Sequence, residues 1–228
     1  MSIEITWLGH GTFSLTIGDQ KVLIDPFLDD NPSAPVKAKD VAADIILISH
    51  GHFDHIADAA AIAKRTGATV YANYEVATWL HSKHKVQNTI GMNLGGAAKV
   101  PFGSIKLTLA HHSSSLPDGS YGGNPGGWLI TAENKRLYFA CDTALFQDMA
   151  QIGAGGLDLA VLPIGDLFTM GPEDSLAAIQ LLKPKKVAPA HYNTWPPIAQ
   201  DASAWSSAVK AQTSAEPLVV PPGGKFLI

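Results

Sequence analysis

Ser49-His50-Gly51-His52-Phe53-Asp54-His55 packs three imidazoles and a carboxylate into six residues, directly after an apolar run. Neutral imidazole and carboxylate suit divalent zinc, and also manganese, nickel or iron. His50 and His52 stand two apart, so on extended backbone their side chains leave the same face and can grip one ion; on a helix they would diverge. Asp54 and His55 follow where the chain is expected to turn into a helix. Adjacent residues at such a turn point in different directions, toward a second ion or an attacking water. The stretch by itself therefore points to two metals. Cys141 is the only cysteine, which excludes a structural thiolate zinc site and an intrachain disulfide. A catalytic site is the expectation.

The elements that must position these residues can be read in order. Residues 3–7 alternate apolar and polar as a half-buried strand does, and Gly9-His10-Gly11 ends it. Residues 13–17, a Gly18-Asp19 turn and residues 22–24 read as a hairpin whose second arm runs into Asp25-Pro26. After a loop at 29–40, residues 44–48 are a continuous apolar strand that delivers the histidine cluster, and 56–65 have helical spacing. A strand at 68–72, a helix at 75–83 and a glycine-rich turn at 91–96 follow. Residues 105–109 lead to His111-His112, before an irregular loop at 114–126 expected to border the site. Strands at 128–131 and 137–140 form a hairpin around Glu133-Asn134-Lys135 and run into Asp142. A buried strand at 157–163 precedes a helix at 172–182, opened by Pro172 and stopped by Pro184. Residues 186–189 lead to His191, 201–211 form the last helix, and 218–220 and 226–228 close the chain as strands.

Six strand-like segments thus end in His10, Asp25, His50, His112, Asp142 and His191. In layered α/β folds the strand ends at one edge share a face, so distant residues can converge there. The β-rich halves are compatible with a distant duplication. The 228 residues, 46% hydrophobic, are enough for one domain over 1–228. The net charge is −4, the sequence pI is about 6.1, and no run of Lys or Arg exceeds Lys185-Lys186. That balance argues against a nucleic-acid partner. The apolar residues 45–48 are too few to cross a bilayer, and the first residues lack a signal-peptide core, so a cytoplasmic protein is expected.

The stretch from Ser49 to His55 matches the His-x-His-x-Asp-His signature of the metallo-β-lactamase superfamily, with His112, Asp142 and His191 in its later order. Trp7-Leu8-Gly9-His10, Leu23-Ile24-Asp25-Pro26-Phe27, Gly91-Met92-Asn93, His112-Ser113-Ser114 and Asp142-Thr143 look like the small stand-alone metal-dependent hydrolases of that superfamily. So do Leu162-Pro163-Ile164-Gly165, Phe168-Thr169-Met170-Gly171-Pro172 and His191-Tyr192-Asn193-Thr194. Those are similar to the ascorbate-6-phosphate lactonase branch. The resemblance covers nearly the whole chain and implies an αββα four-layer sandwich with two metals at one edge of its sheets. Cys141 departs from it, standing where glycine is expected before the aspartate.

By that analogy, His50, His52 and His112 would bind one ion and Asp54, His55 and His191 a second, with Asp142 and a hydroxide shared. Two divalent ions set against two carboxylates and one hydroxide leave the site roughly one charge positive, so anionic substrates are favoured. Metal binding lowers the pKa of water from ~16 to around 7, which makes the bridging hydroxide a nucleophile that Asp54 can orient. His10 either bonds the bound substrate or buttresses a loop, and Asp25 either orients a ligand imidazole or caps its turn. His111 is expected on the opposite face, and His81 and His84 on a solvated helix face. Trp195-Pro196-Pro197 shapes a substrate wall or ends a loop. The expected activity is metal-dependent hydrolysis of a small anionic ester, lactone or phosphodiester. A metal-dependent nuclease and a non-hydrolytic redox or sensor protein are the alternatives, and association into a homo-oligomer is compatible with the sequence.

Overall fold

The computed structural model describes residues 2–228. The first part of the chain forms β1 (Glu4–Trp7), β2 (Phe13–Ile17), β3 (Gln20–Ile24), β4 (Ile45–Leu47), β5 (Thr69–Asn73) and β6 (Thr89–Met92), with helices α1 (Phe53–Ile56), α2 (Ala59–Thr66) and α3 (Tyr74–His84). The remainder forms β7 (Ala97–Val100), β8 (Gly103–Leu109), β9 (Gly126–Ala132), β10 (Lys135–Phe139), β11 (Leu157–Pro163), β12 (Pro184–Ala190), β13 (Glu216–Pro217) and β14 (Lys225–Leu227). Its helices are α4 (Met149–Gly153), α5 (Pro172–Leu182) and α6 (Ala202–Gln212). Two seven-stranded sheets result, in the orders β14-β1-β2-β3-β4-β5-β6 and β13-β12-β11-β10-β9-β8-β7.

Side-chain periodicity explains the layers. In β2, Phe13, Leu15 and Ile17 alternate with half-buried polar residues and enter the core between the sheets. β4 is buried on both faces: Ile45 and Leu47 join that core, while Ile46 packs in a second cluster with Ile62 of α2 and Val76 and Leu80 of α3. A strand covered on both sides has no polar face, hence its continuous apolar sequence. On the other sheet, Ile179 and Leu182 of α5 and Trp205 and Val209 of α6 pack into the main core. Trp205 Nε1 donates to Ser175 Oγ at 2.8 Å and ties the two helices together. The architecture is the expected αββα sandwich.

Strand direction places the site. β1 and β2 are antiparallel, as are β2 and β3, and β3, β4, β5 and β6 pair in parallel. β8, β9 and β10 repeat the antiparallel pattern, and β10, β11, β12 and β13 are parallel. Within one sheet β1, β3 and β4 therefore run the same way, as do β8, β10 and β12 within the other. Their C-terminal ends share one edge of each sheet.

Several elements differ from the sequence expectation. Residues 89–92 are a strand because Gly91 answers a packing need: a Cβ there would come within 3.0 Å of Tyr74 Cδ2 and 3.2 Å of Tyr74 Cα. The helix expected at 56–65 divides into α1 and α2 around Asp58, whose carboxylate accepts the Leu28 and Asp29 amides at 2.6 and 3.1 Å. The strand expected at 218–220 falls instead at β13, where Glu216 and Pro217 pair with Lys186 and Val187. β7 and α4 have too little apolar periodicity to be read from sequence. No helix among the described residues is long and apolar enough to cross a membrane.

Candidate metal centre

The loops leaving the six strand ends turn sharply. His10, His50, His112 and Asp142 lie three residues beyond β1, β4, β8 and β10, while Asp25 and His191 directly follow β3 and β12. His10, Asp25, Cys141 and His191 adopt left-handed backbone, with φ of 53°, 45°, 54° and 53°. That region costs an L-residue about 1–2 kcal/mol. Here it swings each chain segment off the sheet edge. Cys141, at the position where glycine was expected, carries this strain with a side chain in place.

Asp142 Oδ2 lies at the centre of the cluster. Nε2 of His191, His55, His112 and His50 approaches it to 3.1, 3.3, 3.5 and 4.0 Å. Donor atoms of His50, His52 and His112 lie within 4.8 Å of one another, and so do those of His10, Asp54, His55 and His191. Asp54 Oδ2 is 2.9 Å from His10 Nε2, 3.7 Å from His55 Nε2 and 3.8 Å from His191 Nε2. His50, His55, Asp142 and His191 are buried, whereas His52, Asp54 and His112 reach the surface on one side. Burial opposes the charge on Asp142 and Asp54, yet the surrounding imidazoles hold both carboxyls far below their usual range. Burial likewise opposes charge on His191, which Asp142 and Asp54 nevertheless push up to about 9.

The donor set fits divalent cations. It is all nitrogen and oxygen, and the buried His55 Nε2, aimed at both carboxylates, has no hydrogen-bond partner. One carboxylate oxygen ringed by four imidazole nitrogens cannot satisfy them all by hydrogen bonding. This buried His/Asp cluster is able to bind metal.

Behind the cluster, Asp25 sets the orientation of two imidazoles. Its Oδ2 accepts His55 Nδ1–H at 2.9 Å, which leaves His55 Nε2 free to face the centre. Ser49 Oγ donates to the same oxygen at 2.6 Å and so can only accept from His50 Nδ1, 2.9 Å away. His50 Nε2 is thereby also left facing the centre. The other oxygen of Asp25, Oδ1, accepts the Ser49 amide at 2.7 Å, so Asp25 meets both an imidazole and the backbone of the motif. His10 is fully buried, and burial with the neighbouring His191 lowers its pKa to about 4. The neutral ring donates from Nε2 to Asp54, and Nδ1 accepts from Thr194 Oγ1 at 2.8 Å. His111 points elsewhere, stacked on Phe146 with 4.9 Å between centroids. His84 packs on Trp79 and His81 meets the Val86 carbonyl, both away from the cluster.

Above the cluster is a cleft of about 750 Å³. The loop at 114–126 borders it as expected: Ser115, Leu116 and Pro117 line one side. Ser114 Oγ accepts the Gly51 amide at 3.0 Å, and a Cβ on Gly51 would meet Leu116 Cδ2 at 3.1 Å. The middle residue of His-Gly-His therefore has little room for a side chain. Trp195 and Pro197 line the cleft as well, with Phe53 and Phe168. Sequence reading assigned no role to these last two; the signal available was a large apolar residue inside a polar motif.

Comparison with known proteins agrees with this geometry. Residues 20–192 match the model of the beta-lactamase superfamily domain. A UPF0173 metal-dependent hydrolase of Thermus thermophilus is 50% identical over 204 residues, covering 90% of each chain. One of Pelotomaculum thermopropionicum is 49% identical over 97% of this chain and 98% of its own. The solved structure of Igni18, a metallo hydrolase from Ignicoccus hospitalis, superposes with a TM-score of 0.89 at 35% identity, covering 100% of this chain and 99% of that one. The chain belongs to the metallo-β-lactamase superfamily. Within it, the chain is one of the UPF0173 metal-dependent hydrolases. The narrower likeness to ascorbate-6-phosphate lactonases rests on the sequence motifs alone.

Proposed function

We propose that His50, His52 and His112 hold one divalent ion and Asp54, His55 and His191 a second, with Asp142 between them, and that zinc is the metal. The observation that carries this reading is the approach of four imidazoles, drawn from both sheets, to within 4.0 Å of Asp142 Oδ2. When bound, such ions supply an activated water and polarise the bond to be cleaved. The chain's own residues do the rest. Asp54 Oδ2 is held by His10 Nε2–H and accepts a hydrogen bond from the attacking water, fixing its direction. His10 is too deeply buried to touch substrate and acts through Asp54, itself steadied by Thr194. The cleft admits a small ester, lactone or phosphodiester at the exposed side of the cluster. Replacing Asp54 with Asn is expected to lower kcat on every accepted substrate by on the order of 10²–10⁴. Unchanged turnover in Asp54→Asn, measured on metal-loaded protein, would refute the mechanism.

A further inference from the structure

Asp54 and Asp142 are two carboxylates within the cluster. Asp25 is a third carboxyl beside the cluster, fully buried and 2.9 Å from His55 Nδ1, so a surplus of positive charge does not follow from the donor set. The cleft wall adds no cation in its place. Among the described residues, the nitrogen-bearing side chains that line it are His52, His112, His191 and Trp195. The remaining wall is mostly apolar, made by Phe53, Leu116, Pro117, Phe168, Trp195 and Pro197. Phe53 and Phe168 are 53% and 54% exposed and the adjacent Leu167 is 67% exposed, so a large apolar area stands in water beside the cluster. Two of its rings are braced: Phe53 meets buried Phe27 edge-on at 5.7 Å between centroids, and Trp195 lies 5.9 Å from Phe27 and 6.2 Å from Phe53. A braced apolar wall converging on a few polar groups suits a small, largely apolar ligand.

We infer that the substrate is an uncharged carboxylic ester or lactone bearing an aryl-sized apolar group, which lies against Phe53, Phe168 and Trp195 while its carbonyl reaches the metal cluster. This inference rests on the hydrolase reading above and narrows it. Hydrolysis adds one water across the acyl C–O bond. The water oxygen bonds to the carbonyl carbon, the bond to the alcohol oxygen breaks, and that oxygen takes up a proton; no electrons are exchanged with another reagent. A phosphodiester would bring a negative charge that no Lys or Arg side chain among the described residues of the wall meets.

The test compares three substrates on metal-loaded protein: dihydrocoumarin, a neutral aryl lactone; γ-butyrolactone, which lacks the ring; and bis(4-nitrophenyl) phosphate, which has rings but also a charge. Dihydrocoumarin is expected to give the highest kcat/KM, and Phe53→Ala and Phe168→Ala each to lower the dihydrocoumarin to γ-butyrolactone ratio about tenfold, mainly through KM. Binding of 2-phenylethanol, followed by tryptophan fluorescence, is expected to weaken in both variants and to be insensitive to about 0.5 M salt. A higher kcat/KM for the phosphodiester, unchanged ratios in both variants, or no hydrolysis of any of the three substrates overturns the inference. If Asp54→Asn abolishes hydrolysis while the charged substrate is preferred, the inference alone fails. Hydrolysis untouched by Asp54→Asn removes the reading beneath it.

Discussion

The two sheets repeat one strand plan and use it differently. β1 to β6 and β8 to β13 follow the same succession of two antiparallel and three parallel pairings. In the second sheet the residues at the strand ends are themselves members of the cluster: His112 after β8, Asp142 after β10 and His191 after β12. Their counterparts in the first sheet stand back from its centre. His10 after β1 steadies Asp54, Asp25 after β3 orients His55 and His50, and Asn73 at the end of β5 caps α3 by accepting the Val76 amide. The first sheet instead places its cluster residues in the single loop after β4. The matching loop after β11 contributes no imidazole; it exposes Leu167 and Phe168 to solvent, and Phe168 lines the cleft. After the fourth strand of the shared plan, one sheet thus carries a histidine-rich loop and the other an exposed apolar one.

The sharpest way to break this comparison is to remove one imidazole from each sheet. His50→Ala and His191→Ala are both expected to lose bound metal, measured by inductively coupled plasma mass spectrometry of protein purified without chelator. Full metal retention in His191→Ala would deny the second sheet its part in the cluster. Next in size, Asp25→Asn should weaken metal affinity about 10–100-fold in competition with a chelator, because it frees both His55 and His50. Ser49→Ala frees His50 alone and should cost less, about fivefold, the worth of roughly one hydrogen bond. An equal loss in the two variants would mean that Asp25 acts through Ser49 only. The smallest effect concerns the strained turn of the second sheet. Cys141→Gly relieves the left-handed backbone at a φ of 54°; after the loss of the small half-buried side chain, a gain below about 1 kcal/mol is expected, a Tm rise of at most about 2–4 °C.

Legibility followed sequence separation. The loop after β4 could be read at once because its chemistry lies in consecutive residues behind a strand whose two buried faces leave an unbroken apolar run. β11 and α5 were equally plain, the first from its apolar content and the second from Pro172 and Pro184 at its borders. His112, Asp142 and His191 are separated by long stretches of chain, and from spacing alone they were no more than polar residues at strand ends; only a family pattern gathered them. β6 was hidden because Gly91 reads as a turn residue until Tyr74 is seen lying against it.

The sequence by itself determined the residue types at the strand ends and most of the strands that carry them, because periodicity and the apolar content of each segment are local properties; the αββα layering came from the family resemblance. The tertiary structure alone decided which nitrogen of His50 and His55 faces the centre, that Asp25 lies against His55 and Ser49, and that Phe53 and Phe168 line one cleft with Trp195. Those outcomes depend on distances between side chains brought together from both sheets. Such distances exist only after the strand ends meet at a common edge.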